Sequence, residues 1–578
     1  MRLSKILPYA FLTMAALGAS ASRSSTSKAD EPAAPAAQSK DDQSYLHAKA
    51  EDIARWRQLK FGMFIHWGPV SLQGTEIGWS RGGERRGVGG TGEVPLEVYD
   101  NLYKKFNPVK FDAKEWVEIA KASGMKYMVF TTRHHDGFSN FDSKYTDYKI
   151  TNPESPYRKD IVKQLSDACH ADGLTWGIYY SQPDWHHPDY MTKDHAKYVK
   201  YMHGQVEELL SNYGRTDMVF FDGLGGDAKR WDAENLFKKM RTLQPQIIIN
   251  NRCGLEADND TPEQEIGKMQ TGRPWETCMT IGDQWAWKPN DNIKSLKTCL
   301  QTLVNVVAGD GNLLFNVGPM PDGQIEPRQV ETLKQMGEWL TKYGESIYGT
   351  RGGPFARGKW GGATMKGDTI YVHILNPNLD TVTLPPINSA KVVSTRVLTG
   401  GTATVKQSDE SIEISVPKAN RQDIDTIVAL KLGGPAADAK VGRLKSQSVA
   451  SGKKATASNV YQKMVDVHGP QKAFDDDEDS RWATDVGTRQ AWLEVDLGEP
   501  RTVASAMIVE ADFGPRVQKF ELQAKIDGQW KAFYTGKTIG EECRVKFEPV
   551  TAQVFRLNIV EATEGPTLSE FQLFEAKK

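Results

Sequence analysis

The stretch VFTTRHHDGF, residues 129–138, places His134, His135 and Asp136 directly behind an apolar run. Three kinds of chemistry are open to such a cluster. A metal centre needs two or three further ligands at suitable spacing, and adjacent histidines on a strand point to opposite faces. A histidine at a strand end also serves simply to cap the strand and pack. Neutral polar side chains at the mouth of a sheet, by contrast, hydrogen-bond the hydroxyl groups of a ligand, which calls for donors and acceptors rather than net charge. Other apolar runs end in the same manner: His66-Trp67 behind FGMFI, Tyr179-Tyr180-Ser181 behind TWGI, Asp222 behind MVFF, and Asn250-Asn251-Arg252 behind III. Asp222-Gly223 suits a turn or a helix cap as readily as a reactive carboxylate. Downstream, DTPEQEIG carries Glu263 and Glu265, and PWETC carries Glu276. The ordinary state of such glutamates is a solvated carboxylate.

Something must hold these strand ends together. From residue 46 to about 350, short apolar runs alternate with amphipathic helical stretches: FGMFIHWG, AKEWVEIAKASG, KYMVFTT, KDIVKQLSDACHADG, TWGIYYS and onward to NLLFNVGP. Apolar strands separated by helices predict a parallel sheet buried on both faces, and a stretch of this length suits a (β/α)8-type barrel with its site at the C-terminal strand ends. An open doubly wound sheet is the alternative, but no GxGxxG follows an early strand and no phosphate-binding loop is present. From 351 to 433 the pattern changes to short alternating runs (TIYVHILN, KVVSTRVL, SIEISVP) broken by Gly, Pro and Asn, which predicts a small antiparallel β-sandwich. GGPAADAKVGRLKSQ, 434–448, reads as a linker, and 449–578 resumes short strands as a second β-sandwich or jelly roll.

The ends and the composition narrow the function. Arg2 and Lys5, the run ILPYAFLTMAALGA and the small residues Ala19-Ser20-Ala21 predict an export signal over 1–21, followed by a flexible Ser-, Ala- and Pro-rich tether over 22–45. A secreted or periplasmic protein is expected, with no insertion in a membrane. Lys and Arg number 72 against 74 Asp and Glu, so the charge balance favours neither nucleic acid nor an anionic surface as partner. Fifteen Trp and nineteen Tyr supply flat amphipathic rings suited to neutral polar ligands such as sugars. Five cysteines, with no CxxC pair, indicate neither a disulfide framework nor a zinc ribbon.

In this order, FGMFIHWGPVS, RHHDGF with SKYTDY, GIYYSQPDW, VFFDG, NNRCG, PWETCMTIGDQW and GDGNLLFNVGPMPDGQI with ESIYGTR resemble glycoside hydrolase family 29, the α-L-fucosidases. The resemblance runs almost continuously over residues 50–350. It implies a (β/α)8 barrel followed by a β-sandwich, and retaining hydrolysis of terminal fucosyl residues on glycans through a covalent glycosyl-enzyme. That chemistry needs an ionised nucleophile and a protonated acid about 5–5.5 Å apart. By resemblance Asp222 is the nucleophile and Glu263 the acid/base, with Glu276 and Glu265 as rivals for the second role. His66, His134, His135, Tyr179, Arg252 and Trp285 match the family's fucose-binding positions. No cofactor for catalysis is implied. The chain departs from the common pattern at Phe220, where many members have Trp, in WAW, and in the Gly- and Arg-rich loop TEIGWSRGGERRGVGG. A non-catalytic carbohydrate-binding protein on the same scaffold is the competing class.

From 449 onward, KAFDDDEDSRWAT, WLEVDLGEP, FELQAKIDGQW and LSEFQLFE resemble the discoidin, or coagulation factor 5/8 type C, fold found among family 32 carbohydrate-binding modules. The resemblance implies one structural Ca2+ held by Asp475, Asp477, Ser480 and Glu570, with Asp476 standing where a glycine is usual. Oxygen-rich sets of this kind suit that ion.

Overall fold

The computed structural model describes residues 43–576 apart from 268, 445, 478–479 and 512–513, so the expected signal over 1–21 and nearly all of the tether over 22–45 lie outside the described residues. Seven of the apolar runs become strands of one parallel sheet: β1 (Phe61–Ile65), β2 (Tyr127–Arg133), β3 (Thr175–Tyr180), β4 (Met218–Phe221), β5 (Ile248–Ile249), β6 (Glu276–Thr280) and β7 (Asn312–Val317). They lie in the order β5-β4-β3-β2-β1-β7-β6, a curled parallel sheet with β2 at its centre. Every residue of β1, β2, β4 and β7 is buried, which is why these segments are apolar runs rather than alternating ones. Phe64, Val129, Tyr179, Phe220 and Leu314 share one core cluster between the strands.

The helices between strands begin where the sequence places caps. Asp112 accepts hydrogen bonds from the backbone N–H groups of Lys114 and Glu115 at the start of Ala113–Ala122, and Asp160 does so from Lys163 at the start of Ile161–Ala171. Each such cap stabilises its helix by about 1 kcal/mol. Fixed helix starts bring each strand back into the sheet in register.

The (β/α)8-type pattern leads one to expect eight strands; seven regular ones form the sheet among the described residues, and an irregular segment runs between its two edges. Asn259, Asp260 and Glu263 make isolated parallel bridges with Asn250, Trp275 and Cys278, linking the ends of edge strands β5 and β6. The sequence DNDTPEQEIG has no apolar run, and Pro262 has no N–H to donate to a ladder. A regular strand cannot form there, and Glu263 is carried on the irregular seam.

Beyond residue 350, a five-stranded antiparallel sheet runs in the order Val392–Val397, Thr426–Leu432, Thr369–Ile374, Gly361–Lys366, Arg351–Gly352, and a three-stranded one in the order Thr381–Leu384, Ile412–Ser415, Thr404–Gln407. Ile370, Val372, Ile412, Ile414 and Leu430 from both sheets form one core. The segment that reads as a linker is pinned to these sheets at its start: Ala436 is buried, Ile387 bridges Val441, and Gly442 N–H donates to Pro386 O.

The C-terminal domain is a seven-stranded antiparallel sheet wrapped on a core that includes Trp482, Leu493, Phe520, Leu557 and Phe571. WLEVDLG and SAMIVEA, which read as two strands, are halves of one 20-residue strand, Ala491–Glu510. Its register shifts between Asp496 and Arg501 and again between Val503 and Ser505, and such irregularities bend a strand so that one chain serves both sides of a core. No helix among the described residues is long and apolar enough to cross a membrane.

Candidate active site

At the C-terminal ends of the parallel strands, a pocket is lined by all eight residues singled out for catalysis and substrate binding in the sequence. His66 follows β1, His134 and His135 follow β2, Tyr179 belongs to β3, Asp222 follows β4, Arg252 follows β5, and Trp285 lies beyond β6. Glu263 comes from the irregular seam.

Asp222 sits at the centre of the polar contacts. Its Oδ1 accepts from Arg252 Nη1 at 2.9 Å, its Oδ2 accepts from the Tyr179 hydroxyl at 2.9 Å, and His135 Nε2 is 3.4 Å from the same oxygen. Burial pushes the Asp222 carboxyl upward, but the contact with His135 and the charge of Arg252 outweigh it and hold the group well below the ordinary carboxylate range. The carboxylate is therefore ionised across the neutral pH range. Gly223 explains the Asp-Gly pair without a turn: a Cβ there would stand 2.4 Å from the Arg252 carbonyl oxygen, which itself accepts from Gln182 Nε2 at 3.0 Å. The glycine lets the Arg252 backbone reach the end of β4.

Arg252 also approaches Glu263 Oε2 at 2.9 Å through the same Nη1, while its Nε and Nη2 donate to Thr261 Oγ1 and O. With every arm of the guanidinium occupied, its orientation is fixed. Both carboxylates touch one nitrogen, so an oxygen of each lies no farther from the other than twice that contact. Glu263 is 42% exposed, against 14% for Asp222, and so faces the open side of the pocket.

His66 and His134 are neutral hydrogen-bonding groups. Asn316 Nδ2 donates to Trp285 O at 2.8 Å, so its oxygen accepts from His66 Nδ1 at 2.7 Å and leaves Nε2 of His66 as an acceptor. Burial pushes His66 down to about 3 and, with the neighbouring His135 and His66 rings, holds His134 well below its ordinary value. His134 stacks on Tyr179 at 5.3 Å, and Tyr179 on Phe220 at 5.8 Å, giving the pocket an aromatic wall.

The other two glutamates are elsewhere. Glu265 is exposed and is not part of the pocket wall. Glu276 opens β6 with its side chain buried, accepts a hydrogen bond from Tyr127 and lines a separate small cavity with Trp56, Val129 and Asn250. Burial pushes its carboxyl up to about 8. In the folded chain its proton stays on until about pH 8, whereas the unfolded chain releases it near 4.5, so its stabilising contribution is full below 4.5 and is lost as pH rises through 8. Glu276→Gln is expected to gain in melting temperature over the wild type between pH 5 and pH 8. A difference that stays constant with pH would show that Glu276 does not hold its proton.

Two residues that shape the site were not legible in the sequence: Trp79, on the pocket wall, and Glu76, which fixes Trp285 from behind it. Trp79, from the Gly- and Arg-rich loop, meets His135 edge-on at 5.6 Å, and Arg85 lies 5.3 Å over its ring. Glu76 accepts from the N–H groups of Trp285 and Ala286 at 2.8 and 3.0 Å and so sets the Trp285 turn. The next glycine, Gly78, has φ +66° and packs where a Cβ would stand 2.7 Å from His134 Nδ1. A loop governed by such contacts carries no periodic signal.

In the C-terminal domain, Asp475 accepts from Ser480 Oγ and lies 3.6 Å from Lys472 Nζ. Asp476 has φ +56° and accepts from Ser446 and Ser451, which accounts for a turn that glycine would otherwise serve. Glu570 is 1% exposed and its Oε1 has no hydrogen-bond partner. Burial, then the charges of Asp476 and Asp475, push its carboxyl up to about 8. A buried, unpartnered oxygen among like charges fits a hard cation in its chemistry. The arrangement is less complete, because Asp475, Asp477 and Glu570 do not converge on one point as His134, His135 and Asp222 do.

The chain matches the α-L-fucosidase family over residues 28–345 and the F5/8 type C domain over residues 454–571. It is 30% identical over 342 residues to the plasma α-L-fucosidase of Homo sapiens, which covers 52% of this chain and 70% of that one. Among solved structures it is similar to α-L-fucosidase isoenzyme 1 of Paenibacillus thiaminolyticus, with 35% identity, a TM-score of 0.60, and coverage of 66% of this chain and 99% of that one. A family 29 α-L-fucosidase of Bacteroides thetaiotaomicron, trapped as a covalent intermediate with 2-fluoro-fucosyl fluoride, is 26% identical with a TM-score of 0.59, covering 66% of this chain and 96% of its own. With an ionised carboxylate, a second carboxylate and neutral imidazoles gathered at the strand ends of the matched region, the chain belongs to the α-L-fucosidase family, glycoside hydrolase family 29.

Proposed function

We infer that this chain is an exo-acting, retaining α-L-fucosidase that removes terminal α-L-fucosyl residues from glycans, with Asp222 as nucleophile and Glu263 as acid/base. One observation carries the assignment of roles: two carboxylates approach the same Arg252 nitrogen at 2.9 Å, one sheltered and one exposed. Retaining chemistry wants its carboxyl groups about 5–5.5 Å apart, within the limit that shared contact sets. Asp222 attacks the anomeric carbon as the bond to the leaving oxygen breaks, and Glu263 gives that oxygen its proton. Glu263, now ionised, takes a proton from water, whose oxygen attacks the anomeric carbon and frees Asp222. A proton on Glu263 leaves Arg252 paired with Asp222 alone, which strengthens the clamp on the nucleophile. No cofactor is needed, because carboxyl groups supply both the nucleophile and the proton. His66, His134 and His135 offer hydrogen-bonding partners to sugar hydroxyls, and Phe220, Tyr179 and Trp285 suit the apolar face and methyl group of a 6-deoxy sugar. Incubation with 2-fluoro-fucosyl fluoride followed by peptide mass mapping tests the reading. A fucosyl adduct on any residue other than Asp222, or an aryl α-L-fucoside left uncleaved, would refute it.

The architecture behind this reading is a (β/α)8-type barrel, closed by the irregular seam, then a β-sandwich and a discoidin-like carbohydrate-binding module. The apolar run after Arg2 supports export to the periplasm or the exterior. Loss of residues 445–578 should leave turnover of a small aryl fucoside nearly unchanged, because every pocket residue precedes residue 290. Retention on a fucosylated or galactosylated polymer should fall, since a tethered module raises local concentration. A truncated protein that folds yet fails on the small substrate would show instead that the module completes the pocket. For the module, Glu570, Asp475, Asp477 and Ser480 would hold Ca2+, which would neutralise the buried Glu570 carboxylate. Millimolar Ca2+ should then raise the melting temperature of the full chain, and Glu570→Gln should remove the effect. An equal rise in both proteins would refute the ligand assignment.

A further inference from the structure

One ring nitrogen beside the pocket carboxylate, Nε2 of His135, is buried and has no hydrogen-bond partner, while the unpartnered Nδ1 of His134 packs against Gly78. Buried polar atoms are almost always satisfied, so Nε2 of His135 calls for a partner that the protein does not supply. On the functional reading above, a substrate hydroxyl group satisfies it in the complex. The free enzyme offers it to another class of ligand. A nitrogen from each ring and a carboxylate oxygen of Asp222 lie within 4.8 Å of one another, the one group of His, Cys, Asp and Glu that converges in this way among the described residues.

The hydrogen bonds around His135 fix which of its nitrogens faces the nucleophile. Ser181 donates its hydroxyl hydrogen to Pro183 O at 2.6 Å, so its oxygen can only accept from His135 Nδ1, also at 2.6 Å. Nδ1 therefore carries hydrogen, and Nε2 faces Asp222 Oδ2 at 3.4 Å without hydrogen-bond geometry. A bare nitrogen lone pair there would repel the carboxylate, so this contact favours the ionised carboxylate only with a positive charge between the two atoms, either a proton or a metal ion. An imidazole whose outer nitrogen is held by a hydroxyl relay is also the support found around metal-ligating histidines.

We propose that the free pocket binds one zinc-class divalent cation through His134, His135 and Asp222, and that this occupancy excludes the fucosyl ring and inhibits the enzyme reversibly. Two imidazoles and one carboxylate suit Zn2+, Cu2+ or Ni2+, whereas Mg2+ and Ca2+ prefer all-oxygen sets. Arg252 occupies Oδ1, and Oδ2, which accepts one hydrogen bond from the Tyr179 hydroxyl, keeps a second lone pair for the ion. The guanidinium charge opposes a second cation nearby, so affinity falls short of that of a dedicated zinc site. The inference rests on the reading of this pocket as the fucose site.

The test uses the full-length protein freed of metal by EDTA and then dialysed. Added Zn2+ should raise the apparent KM for an aryl α-L-fucoside several-fold at unchanged kcat, excess EDTA should restore the rate, and Mg2+ should do nothing. Calorimetric titration with Zn2+ reads binding without turnover: Asp222→Asn should bind more weakly by about tenfold or more, and free fucose should compete in the wild type. Zn2+ that lowers kcat at constant KM, or that binds Asp222→Asn as tightly as the wild type, would overturn the proposal. So would inhibition that vanishes in Cys278→Ser, which would move the ion to the thiol on the pocket wall. A protein without fucosidase activity would defeat the functional reading, while the calorimetric comparison would still decide the metal site.

Discussion

Asp222→Ala should lower turnover of any α-L-fucoside by on the order of a thousandfold or more while the protein keeps its fold, because an absent nucleophile closes the covalent route entirely. The fold is spared for a local reason. Arg252 keeps its bonds to Thr261 and its contact with Glu263, so the guanidinium is not left buried without partners. The alanine also leaves space beside a fixed cation, which suits a small anion. Azide is therefore expected to restore part of the rate on an activated aryl fucoside, its nitrogen bonding to the anomeric carbon as the aryloxide leaves. The product would be a fucosyl azide of inverted configuration, since only one displacement occurs. A variant that retained even about a tenth of the wild-type rate would remove Asp222 from the role of nucleophile.

How far the sequence anticipates this site depends on the kind of element that carries each residue. His66, His134, Tyr179 and Asp222 follow or end apolar runs that are buried on both faces, so their place at a common sheet end can be read from the pattern alone. Their roles cannot, since Asp222-Gly223 reads equally as a turn. Glu263 is harder still. It stands on a polar, proline-containing segment joined to its neighbours only by isolated bridges, and only the resemblance to the family points to it. Glu276 shows the opposite case: PWETC looks like loop, yet it opens β6, and a strand-borne glutamate turns inward to Tyr127 instead of outward to substrate. Glu76 and Trp79 sit in a loop whose shape comes from single contacts, such as Arg85 over the Trp79 ring, and such contacts leave no spacing rule behind. The two halves of Ala491–Glu510 read as separate strands because the turn-like GEP sequence at their junction is a bend within one strand.

Glu263→Gln should separate substrates by their leaving groups. A glutamine cannot give a proton to the departing oxygen, so a fucosyl-oligosaccharide, whose leaving alkoxide is strongly basic, should lose on the order of 10²–10⁴ in rate. An aryl fucoside with an activated phenol leaves without that proton, and its first step should be nearly unaffected. The second step still needs a base to take the proton from water, so the covalent fucosyl–Asp222 ester should accumulate and appear as a burst of phenol followed by slow turnover. Azide, which needs no deprotonation, should relieve that second step and return a fucosyl azide of retained configuration, the opposite outcome to that expected for Asp222→Ala. The buried position of Glu276 makes it the control: Glu276→Gln lies outside the Asp222 pocket and should show neither the burst nor the split between substrates. Equal losses on both substrates in Glu263→Gln, with the split appearing in Glu276→Gln, would transfer the proton-donating role to the carboxyl that burial holds near 8.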